Sequence, residues 1–204
     1  MSKNPIIVFE GIEGSGKTTH INLVTKYLKK HKHNFLKIRE PGGSLNSEKI
    51  RKVILNNKSN FNKKTDLLLY MAARSENIEK ILKKNYKKKI ILIDRFIDST
   101  VAYQHFGMGI SKNLIDQLNK FLLNGIRPNL TILNLVSKNN LKKRLRSRKN
   151  KNRYDKFSFN FYEKVQKGFL KIAKNKNNYF IIDSNKDIKT NNQQIISIIK
   201  KKIN

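Results

Sequence analysis

A glycine-rich stretch between an apolar run and a helical pattern is the feature that most constrains how this chain can fold. The stretch Gly11-Ile12-Glu13-Gly14-Ser15-Gly16-Lys17-Thr18 fits the phosphate-binding pattern G-x-x-x-x-G-K-[ST]. Residues 6–9 before it are apolar and rich in β-branched side chains, and residues 19–31 after it carry apolar side chains at helical spacing. This order of strand, loop and helix is the context in which the pattern holds nucleotide phosphates; an ordinary glycine-rich turn is the alternative.

The residue types of this stretch predict a site for ATP and Mg²⁺. Glycines let backbone N–H groups converge on phosphate oxygens, and the start of the following helix adds partial positive charge. Lys17 is expected to reach the β- and γ-phosphates, and the Thr18 hydroxyl is expected to bind Mg²⁺. The predicted ATP-binding residues are Gly11, Ile12, Glu13, Gly14, Ser15, Gly16, Lys17, Thr18 and Thr19.

The length and composition indicate one domain with a full core. The 204 residues suit a single domain, residues 1–204, and the absence of cysteine excludes a disulfide framework and a thiolate metal site. The chain enters its first strand without a charged-then-apolar leader, and no apolar run approaches the length of a membrane span. We therefore expect a cytoplasmic protein without a membrane partner.

Positive charge dominates the chain, with 45 Lys and Arg against 14 Asp and Glu and a formal net charge of +31. Such an excess is typical of proteins that bind nucleic acid. Here the lysines are spread over nearly the whole length, and Lys, Asn and Ile are abundant together. We favour a general compositional bias over a dedicated nucleic-acid surface. In either case the electric field of this positive charge attracts small anions such as nucleotides.

Short apolar runs alternate with helical patterns along the chain. Strands are predicted at residues 6–9, 35–38, 90–93, 130–135 and 179–182, and helices at residues 19–31, 47–55, 65–83, 113–123, 139–148, 159–174 and 191–202. The strand runs are continuous rather than alternating, as expected for parallel strands that are buried on both faces. The order predicts a three-layer α/β fold with a parallel sheet of about five strands. Residues 144–156 are the most charged and least periodic, and we interpret them as a solvated loop or a mobile lid.

Charged motifs follow the second and third predicted strands. Arg39-Glu40-Pro41-Gly42-Gly43 is a rigid turn that carries a carboxylate and a guanidinium. Asp94 ends the third strand, where a carboxylate beside a phosphate loop commonly holds Mg²⁺ through water. Arg95 follows it and places a cation where a second phosphate could lie; a buried structural ion pair is the alternative. Because the carboxyl ends of parallel strands meet at one edge, we expect these motifs to line one cleft.

Two further groups of residues are candidates for nucleotide contacts. Tyr70 and Arg74 share one face of the long third helix, where Tyr70 could stack on a base and Arg74 could donate to a base carbonyl. A core aromatic is the alternative for Tyr70. The predicted lid carries Arg144, Arg146, Arg148 and Arg153. Phosphoryl transfer needs cations around the migrating group, and a solvated basic loop is the alternative.

Taken together, these motifs resemble those of the thymidylate kinases, the family that converts dTMP to dTDP with ATP. The matching segments are FEGIEGSGKTT (9–19), REPGG (39–43), AAR (72–74), DRF (94–96), DSTVAYQ (98–104), RPNLT (127–131) and NRYD (152–155). They cover nearly the whole length of the chain. The resemblance implies a P-loop nucleoside monophosphate kinase fold, ATP and dTMP as small-molecule substrates, Mg²⁺ as a cofactor and a homodimer.

The resemblance also implies roles for individual residues of the acceptor site. Glu13 resembles the carboxylate that contacts the sugar 3′-hydroxyl, Arg95 the arginine that holds the dTMP phosphate, and Asp94 the acid linked to Mg²⁺. Tyr103 resembles the residue that excludes a ribose 2′-hydroxyl. The residues that the resemblance places around dTMP are Glu13, Glu40, Pro41, Arg51, Tyr70, Arg74, Arg95, Ser99, Thr100, Tyr103 and Gln104.

The family resemblance places the catalytic arginine in the predicted lid. The residue after Glu13 is Gly14 and not arginine, whereas the lid is rich in arginine, which resembles the bacterial subtype of the family. Arg153 is the first candidate because residues 152–155 are the best-matched part of the lid, and Arg148 is the second. The predicted catalytic residues are Lys17, Arg95, Arg153, Arg148 and Glu13.

The chain departs from the family pattern at three places. Tyr70 stands where the family usually has Phe, which keeps the stacking ring and adds a hydroxyl that needs a partner. His105 and Phe106 intervene where a Gly usually follows Gln104, and this insertion could alter the loop beside the thymine pocket. Asn134 stands where many members have Asp.

Two alternative functions are considered. A deoxynucleoside kinase that phosphorylates thymidine would share the phosphate loop and an acid–arginine pair, but it would not account for residues 39–43 and 98–104 as a set. A basic P-loop ATPase acting on nucleic acid usually has a second carboxylate after Asp94, whereas this chain has Arg95.

Overall fold

A five-stranded parallel sheet lies at the centre of the protein, with the strand order β2-β3-β1-β4-β5. The computed structural model describes residues 4–147, 152–174 and 176–203. The strands are β1 (Ile6–Glu10), β2 (Phe35–Arg39), β3 (Ile90–Asp94), β4 (Leu130–Leu135) and β5 (Tyr179–Asp183). In the register, Val8 lies opposite Ile93 on one side and Thr131 on the other. The predicted parallel α/β sheet is therefore confirmed, and every strand begins where the sequence predicts.

Helices cover both faces of the sheet. They are α1 (Lys17–Lys30), α2 (Leu45–Leu55), α3 (Lys63–Asn77), α4 (Lys83–Asn85), α5 (Ile97–Thr100), α6 (Lys112–Leu123), α7 (Lys138–Arg146), α8 (Phe159–Ala173) and α9 (Ile188–Ile203). Ile78–Leu82 and Val101–Gly107 form π-helical turns, and Arg153–Lys156 forms a 3₁₀ turn. Within the described ranges, no helix combines the length and the apolar character needed to cross a bilayer.

The continuous apolar runs of the strands supply two cores. Ile7 and Phe9 of β1 pack against α1 and α9, where Ile21 and Ile195 are also buried. The alternate side chains of β1, including Val8, enter a second cluster on the opposite face of the sheet. Because successive side chains of a strand point to opposite faces, a strand that is covered on both faces must be apolar throughout.

The helix α3 begins two residues earlier than predicted, because a side chain caps its first turn. The helix predicted at residues 65–83 begins at Lys63, because the Asn62 side chain accepts hydrogen bonds from the backbone N–H groups of Lys64 and Thr65, both at 3.0 Å. It then passes into the π-helical turn Ile78–Leu82. The predicted lid, residues 144–156, comprises the end of α7 and the 3₁₀ turn; residues 148–151, including Arg148, lie outside the described residues.

The helical run at residues 97–107 has no counterpart in the prediction. It is largely buried, so it lacks the polar face that marks a surface helix in a sequence. His105 and Phe106, which together form one of the three departures from the family pattern, lie in its π-helical part, and Phe106 packs directly against Gly168 of α8. A Cβ atom at Gly168 would lie 2.6–2.8 Å from atoms of Phe106, so this glycine sets the distance between α8 and the π-helical turn.

We expect the substitution Gly168→Ala to lower the free energy of unfolding by about 1–3 kcal/mol, because overpacking against Phe106 outweighs the helix propensity gained by alanine. Urea unfolding followed by circular dichroism measures the change. Lys167→Ala on the exposed side of the same helix is the matched control and should leave the midpoint nearly unchanged. Equal or greater stability of Gly168→Ala would contradict the close packing described here.

Candidate active site

The loop between β1 and α1 has the backbone shape that a phosphate-binding loop requires. Gly11 has a φ of +138°, and a Cβ atom there would lie 2.5 Å from the backbone oxygen of Asn134 in β4. Only glycine fits this position. Gly11, Ile12 and Ser15 are buried in the loop, whereas Gly14, Gly16, Thr18 and Thr19 border the cleft above it.

Lys17 lies inside this loop at the start of α1. Its ammonium donates to the backbone oxygens of Gly11 at 2.9 Å and Ile12 at 2.8 Å, and the side chain is only 7% exposed. Burial, followed by the positive charge of Arg95, lowers the pKa of Lys17 to about 8. The lysine is thus folded back on its own loop and borders the cleft, where phosphate oxygens could replace the two carbonyls.

An ion pair joins the phosphate loop to the end of β3. The Arg95 guanidinium lies 2.8 Å from a carboxylate oxygen of Glu13 and donates to the backbone oxygen of Gly11 at 2.8 Å. The Tyr103 hydroxyl donates to the other Glu13 oxygen. Burial opposes ionisation of Glu13, but the charges of Arg95 and Lys17 outweigh it and hold the pKa of this carboxyl below its usual value.

A second buried arginine, Arg74 of α3, forms one wall of the site. It donates to Glu40 at 2.8 Å, to Asn119 at 2.7 Å and to Thr100 at 3.0 Å, and its guanidinium lies over the ring of Phe96. Burial raises the pKa of Glu40, and the Arg74 charge opposes this rise. The turn after β2 and the run after β3 are therefore tied together through one side chain.

The predicted residues are brought together around two connected spaces. The larger is a cleft of about 590 Å³. Its predicted lining residues are Glu13, Gly14, Gly16, Lys17, Thr18, Thr19, Glu40, Pro41, Arg51, Tyr70, Asp94 and Arg95. The smaller is a narrow pocket of about 30 Å³. Its predicted lining residues are Glu13, Glu40, Tyr70, Arg74, Arg95, Ser99, Thr100, Tyr103 and Gln104.

Arg153 does not lie at this cleft. Its guanidinium is paired with the Asp66 carboxylate, and its Nε donates to the backbone oxygen of Ile54. The side chain is 12% exposed, and it also packs over the rings of Phe61 and Tyr154. This placement does not support Arg153 as the cation beside a migrating phosphoryl group, because a carboxylate already holds its charge. Arg148, the second candidate, lies outside the described residues.

Arg144 is a lid arginine that borders the cleft. Its guanidinium donates to the backbone oxygen of Gly14 at 2.9 Å and to that of Ser184 at 2.6 Å. It borders the cleft together with Lys186, Ile188 and Asn191 from the segment after β5. The sequence placed Arg144 in a basic segment, but no pattern separated it from its neighbours.

Two acidic residues of the predicted motifs have structural partners. The fully buried Glu10 accepts from the backbone N–H of Phe96 at 2.8 Å and from the Ser99 hydroxyl at 2.5 Å. Burial, followed by the charge of Asp98, raises the pKa of Glu10 to about 7. Asp98 accepts from Lys176 at 3.0 Å and lies outside the cleft lining. These two carboxylates fix the position of the helical run at residues 97–107, which contains Ser99 and Thr100.

Thr18 and Asp94 fit the needs of Mg²⁺. Both border the same cleft and supply oxygen donors, which this ion prefers. Among the described residues no group of three or more His, Cys, Asp or Glu side chains forms a metal cage. This arrangement suits an ion that takes one or two protein oxygens and completes its coordination with phosphates and water.

Comparisons with known proteins identify the family. Residues 9–195 match the family model described as thymidylate kinase. Curated thymidylate kinases from Thermosipho africanus and Mycoplasma capricolum are each 40% identical to the chain, over 96% and 97% of its length and 97% and 95% of theirs. A crystal structure of thymidylate kinase from Ehrlichia chaffeensis is 34% identical, covers 97% of this chain and 98% of that one, and superposes with a TM-score of 0.78. The chain therefore belongs to the thymidylate kinase family.

Proposed function

We propose that this enzyme transfers the γ-phosphoryl group of ATP to dTMP, giving ADP and dTDP for dTTP synthesis. The observation that carries the proposal is the Glu13–Arg95 pair, which lies where the phosphate loop, the cleft and the narrow pocket meet. A kinase of this type needs two anions brought together without water between them. Lys17 and Arg95 are the two cations near Glu13, and they are placed to bind these two anions.

The donor and the acceptor occupy different parts of the cleft in this proposal. ATP lies over the phosphate loop, with Lys17 on the β- and γ-phosphates and the other loop residues donating through their backbones. The acceptor phosphate binds Arg95 and Arg51, and the base enters the narrow pocket beside Tyr70, Arg74 and Gln104. Ser99, Thr100 and Glu40 line the same pocket, and Pro41 lines the adjoining cleft.

The sugar of the acceptor lies between Glu13 and Tyr103. Glu13 accepts from the 3′-hydroxyl, and the ring of Tyr103 fills the space that a 2′-hydroxyl would need. This ring is 5% exposed and is held edge-on by Phe161 and Phe169. A ring fixed in this way discriminates against a ribose by exclusion rather than by a hydrogen bond.

The Thr18 hydroxyl and the Asp94 carboxylate would hold Mg²⁺ in this cleft. When bound, the ion neutralises charge that develops between the β- and γ-phosphates. Arg144 supplies the guanidinium near the same phosphates, because Gly14 has no side chain and Arg153 is paired elsewhere. Residues 144–156 act as the lid of a single domain, and the reaction takes place in the cytoplasm.

We further propose that the enzyme is a homodimer. Leu45 of α2, Leu68 of α3, and Leu114 and Phe121 of α6 are exposed to 45–81%, which is unusual for large apolar side chains. α2 packs against α3, and α3 packs against α6, so the three helices are neighbours. Leu114 and Phe121 are seven residues apart and share a helix face. A second copy of the chain would cover these side chains.

The reaction is tested by coupled ADP release with a panel of dTMP, thymidine, dCMP and dGMP. We expect dTMP to give the highest kcat/KM, and a preference for thymidine or for another monophosphate would contradict the proposal. Arg95→Ala should raise the KM for dTMP by about 10- to 100-fold and that for ATP much less, since a hydrogen bond to a charged group contributes about 1.5–3 kcal/mol. Arg39→Ala, an exposed arginine paired with Glu48 at the end of β2, is the control.

The lowered pKa of Lys17 predicts a pH dependence of ATP binding. Because this pKa is about 8, the ammonium is largely charged below pH 8 and becomes neutral above it. We expect the affinity of the free enzyme for a non-hydrolysable ATP analogue to fall about fivefold between pH 8 and pH 9, measured by calorimetry at constant Mg²⁺. Lys17→Met should bind weakly and without this fall; the same fall in Lys17→Met would assign it to another group.

The role of Arg144 is tested against its exposed neighbour on the same helix. We expect Arg144→Ala to lower kcat about 10²- to 10³-fold, the usual cost of removing one oriented donor from a developing charge, with a small change in the KM for dTMP. Arg146→Ala removes the same charge from α7 and should keep kcat near wild type. Equal losses in the two variants would show that only the net charge of the segment matters.

A further inference from the structure

A buried carboxylate outside the proposed reaction machinery, Asp66, joins three parts of the site. It lies in the first turn of α3 and is 1% exposed. One of its oxygens accepts from the Tyr154 hydroxyl at 2.8 Å and from the Gln104 amide at 3.1 Å. Its other oxygen pairs with the Arg153 guanidinium. A carboxylate this deeply buried requires such partners, because an unpaired charge there would be very costly.

The partners of Asp66 come from two regions that a substrate would contact separately. Gln104 belongs to the wall of the narrow pocket that follows β3. Arg153 and Tyr154 belong to the 3₁₀ turn of the lid, which the Arg153 contact with Ile54 fixes to the end of α2. Tyr154 borders both the cleft and the narrow pocket. Asp66 therefore supports both the acceptor pocket and the 3₁₀ turn.

The narrow pocket must widen before a pyrimidine base can enter. Its volume of about 30 Å³ holds about one or two water molecules. Three tyrosines crowd it: the Tyr154 ring lies edge-on to Tyr70 at 6.2 Å and to Tyr103 at 5.9 Å between ring centroids. Of these rings, Tyr154 is the one whose hydroxyl is bonded to Asp66. Widening that displaces Tyr154 also changes the hydrogen bonding of Asp66.

We propose that Asp66 is a positioning residue that couples occupation of the acceptor pocket to placement of the 3₁₀ turn Arg153–Lys156, which borders the cleft through Tyr154, and so raises the affinity for ATP once dTMP is bound. The inference rests on the function proposed above. When the base moves Tyr154, the Asp66 carboxylate adjusts, and the paired Arg153 carries the adjustment to the 3₁₀ turn. Asp66 touches neither substrate, so its effect appears in the interaction between the two binding events.

Binding linkage measures this coupling directly. The dissociation constant of a non-hydrolysable ATP analogue is determined by calorimetry without dTMP and with saturating dTMP, and the ratio is the coupling factor. We expect a factor of about five or more in the wild type, at the low end of typical couplings. In Asp66→Asn, which keeps the shape and loses the charge, we expect the factor to approach one while the affinity for the analogue alone is unchanged.

Two further variants keep the test independent of folding defects. Tyr154→Phe retains the ring and removes the donor to Asp66, so it should lower the coupling factor even if Asp66→Asn fails to fold. The double variant should show no further loss beyond Asp66→Asn, because both changes break the same contact. Asp116→Asn, an exposed carboxylate on α6 paired with Lys112, is the control and should keep the wild-type factor.

The outcomes separate this inference from the proposed function. If the wild type does not bind dTMP, the proposed function is wrong and the coupling has no basis. If the wild type binds dTMP but shows a factor of one, or if Asp66→Asn and Tyr154→Phe both keep the wild-type factor, the coupling role of Asp66 is refuted and the proposed function stands. Loss of analogue affinity in Asp66→Asn even without dTMP would assign Asp66 a purely structural role.

Discussion

The ion pair between Arg95 and Glu13 is the interaction on which the rest of the site depends. It joins residues 82 positions apart at 2.8 Å, and both side chains are largely shielded from solvent. Removing either partner would leave an uncompensated charge in a poorly solvated place, which typically costs about 3–5 kcal/mol. The backbone of Arg95 adopts a φ of +66°, a conformation that a non-glycine residue holds only when its surroundings fix it. The pair thereby sets the distance between the phosphate loop and the acceptor pocket.

The acidic residues of this lysine-rich chain pair with arginine at the site and with lysine on exposed helix faces. At the site, Glu13, Glu40 and Asp66 each pair with an arginine, and these pairs are buried or nearly so. Lysine pairs such as Lys112–Asp116 and Lys83–Glu79 lie on exposed helix faces. Arginine presents several donors in a fixed plane, so one guanidinium can satisfy a carboxylate and further acceptors at once, as Arg74 does with Glu40, Asn119 and Thr100. The net positive charge of the chain attracts nucleotides from solution, whereas the arginine–carboxylate pairs determine where on the protein the nucleotides bind.

Much of the fold could be predicted from the sequence, because it follows from local patterns, whereas cleft-lining residues such as Pro41 and Arg51 were implied by the family resemblance and not by such patterns. Apolar runs marked the strands, and the parallel order brought the segments after β1, β2 and β3 to one edge. The pairing of side chains could not be predicted in the same way. Arg153 and Arg144 lie in one basic segment, yet Arg153 turns to Asp66 and Arg144 to Gly14. That choice depends on a carboxylate in α3 that is distant in sequence. The buried helical run after β3 was missed because it has no polar face.

The two cations of the site differ in how their surroundings treat the charge: the pKa of Lys17 is lowered, whereas nearby negative charge, above all that of Glu13, raises the pKa of Arg95 despite burial. Burial lowers the pKa of Lys17, and the nearby charge of Arg95 lowers it further. Lys17 donates to neutral oxygens of its own loop, the carbonyls of Gly11 and Ile12 and the hydroxyl of Ser15. A phosphate that replaces these carbonyls brings negative charge to both cations, so binding also relieves the repulsion between them. The phosphate need not compete with a carboxylate for Lys17, because Glu13 is bonded to Arg95 and Tyr103 instead. This division leaves the lysine available to the donor and keeps Glu13 in place for the acceptor.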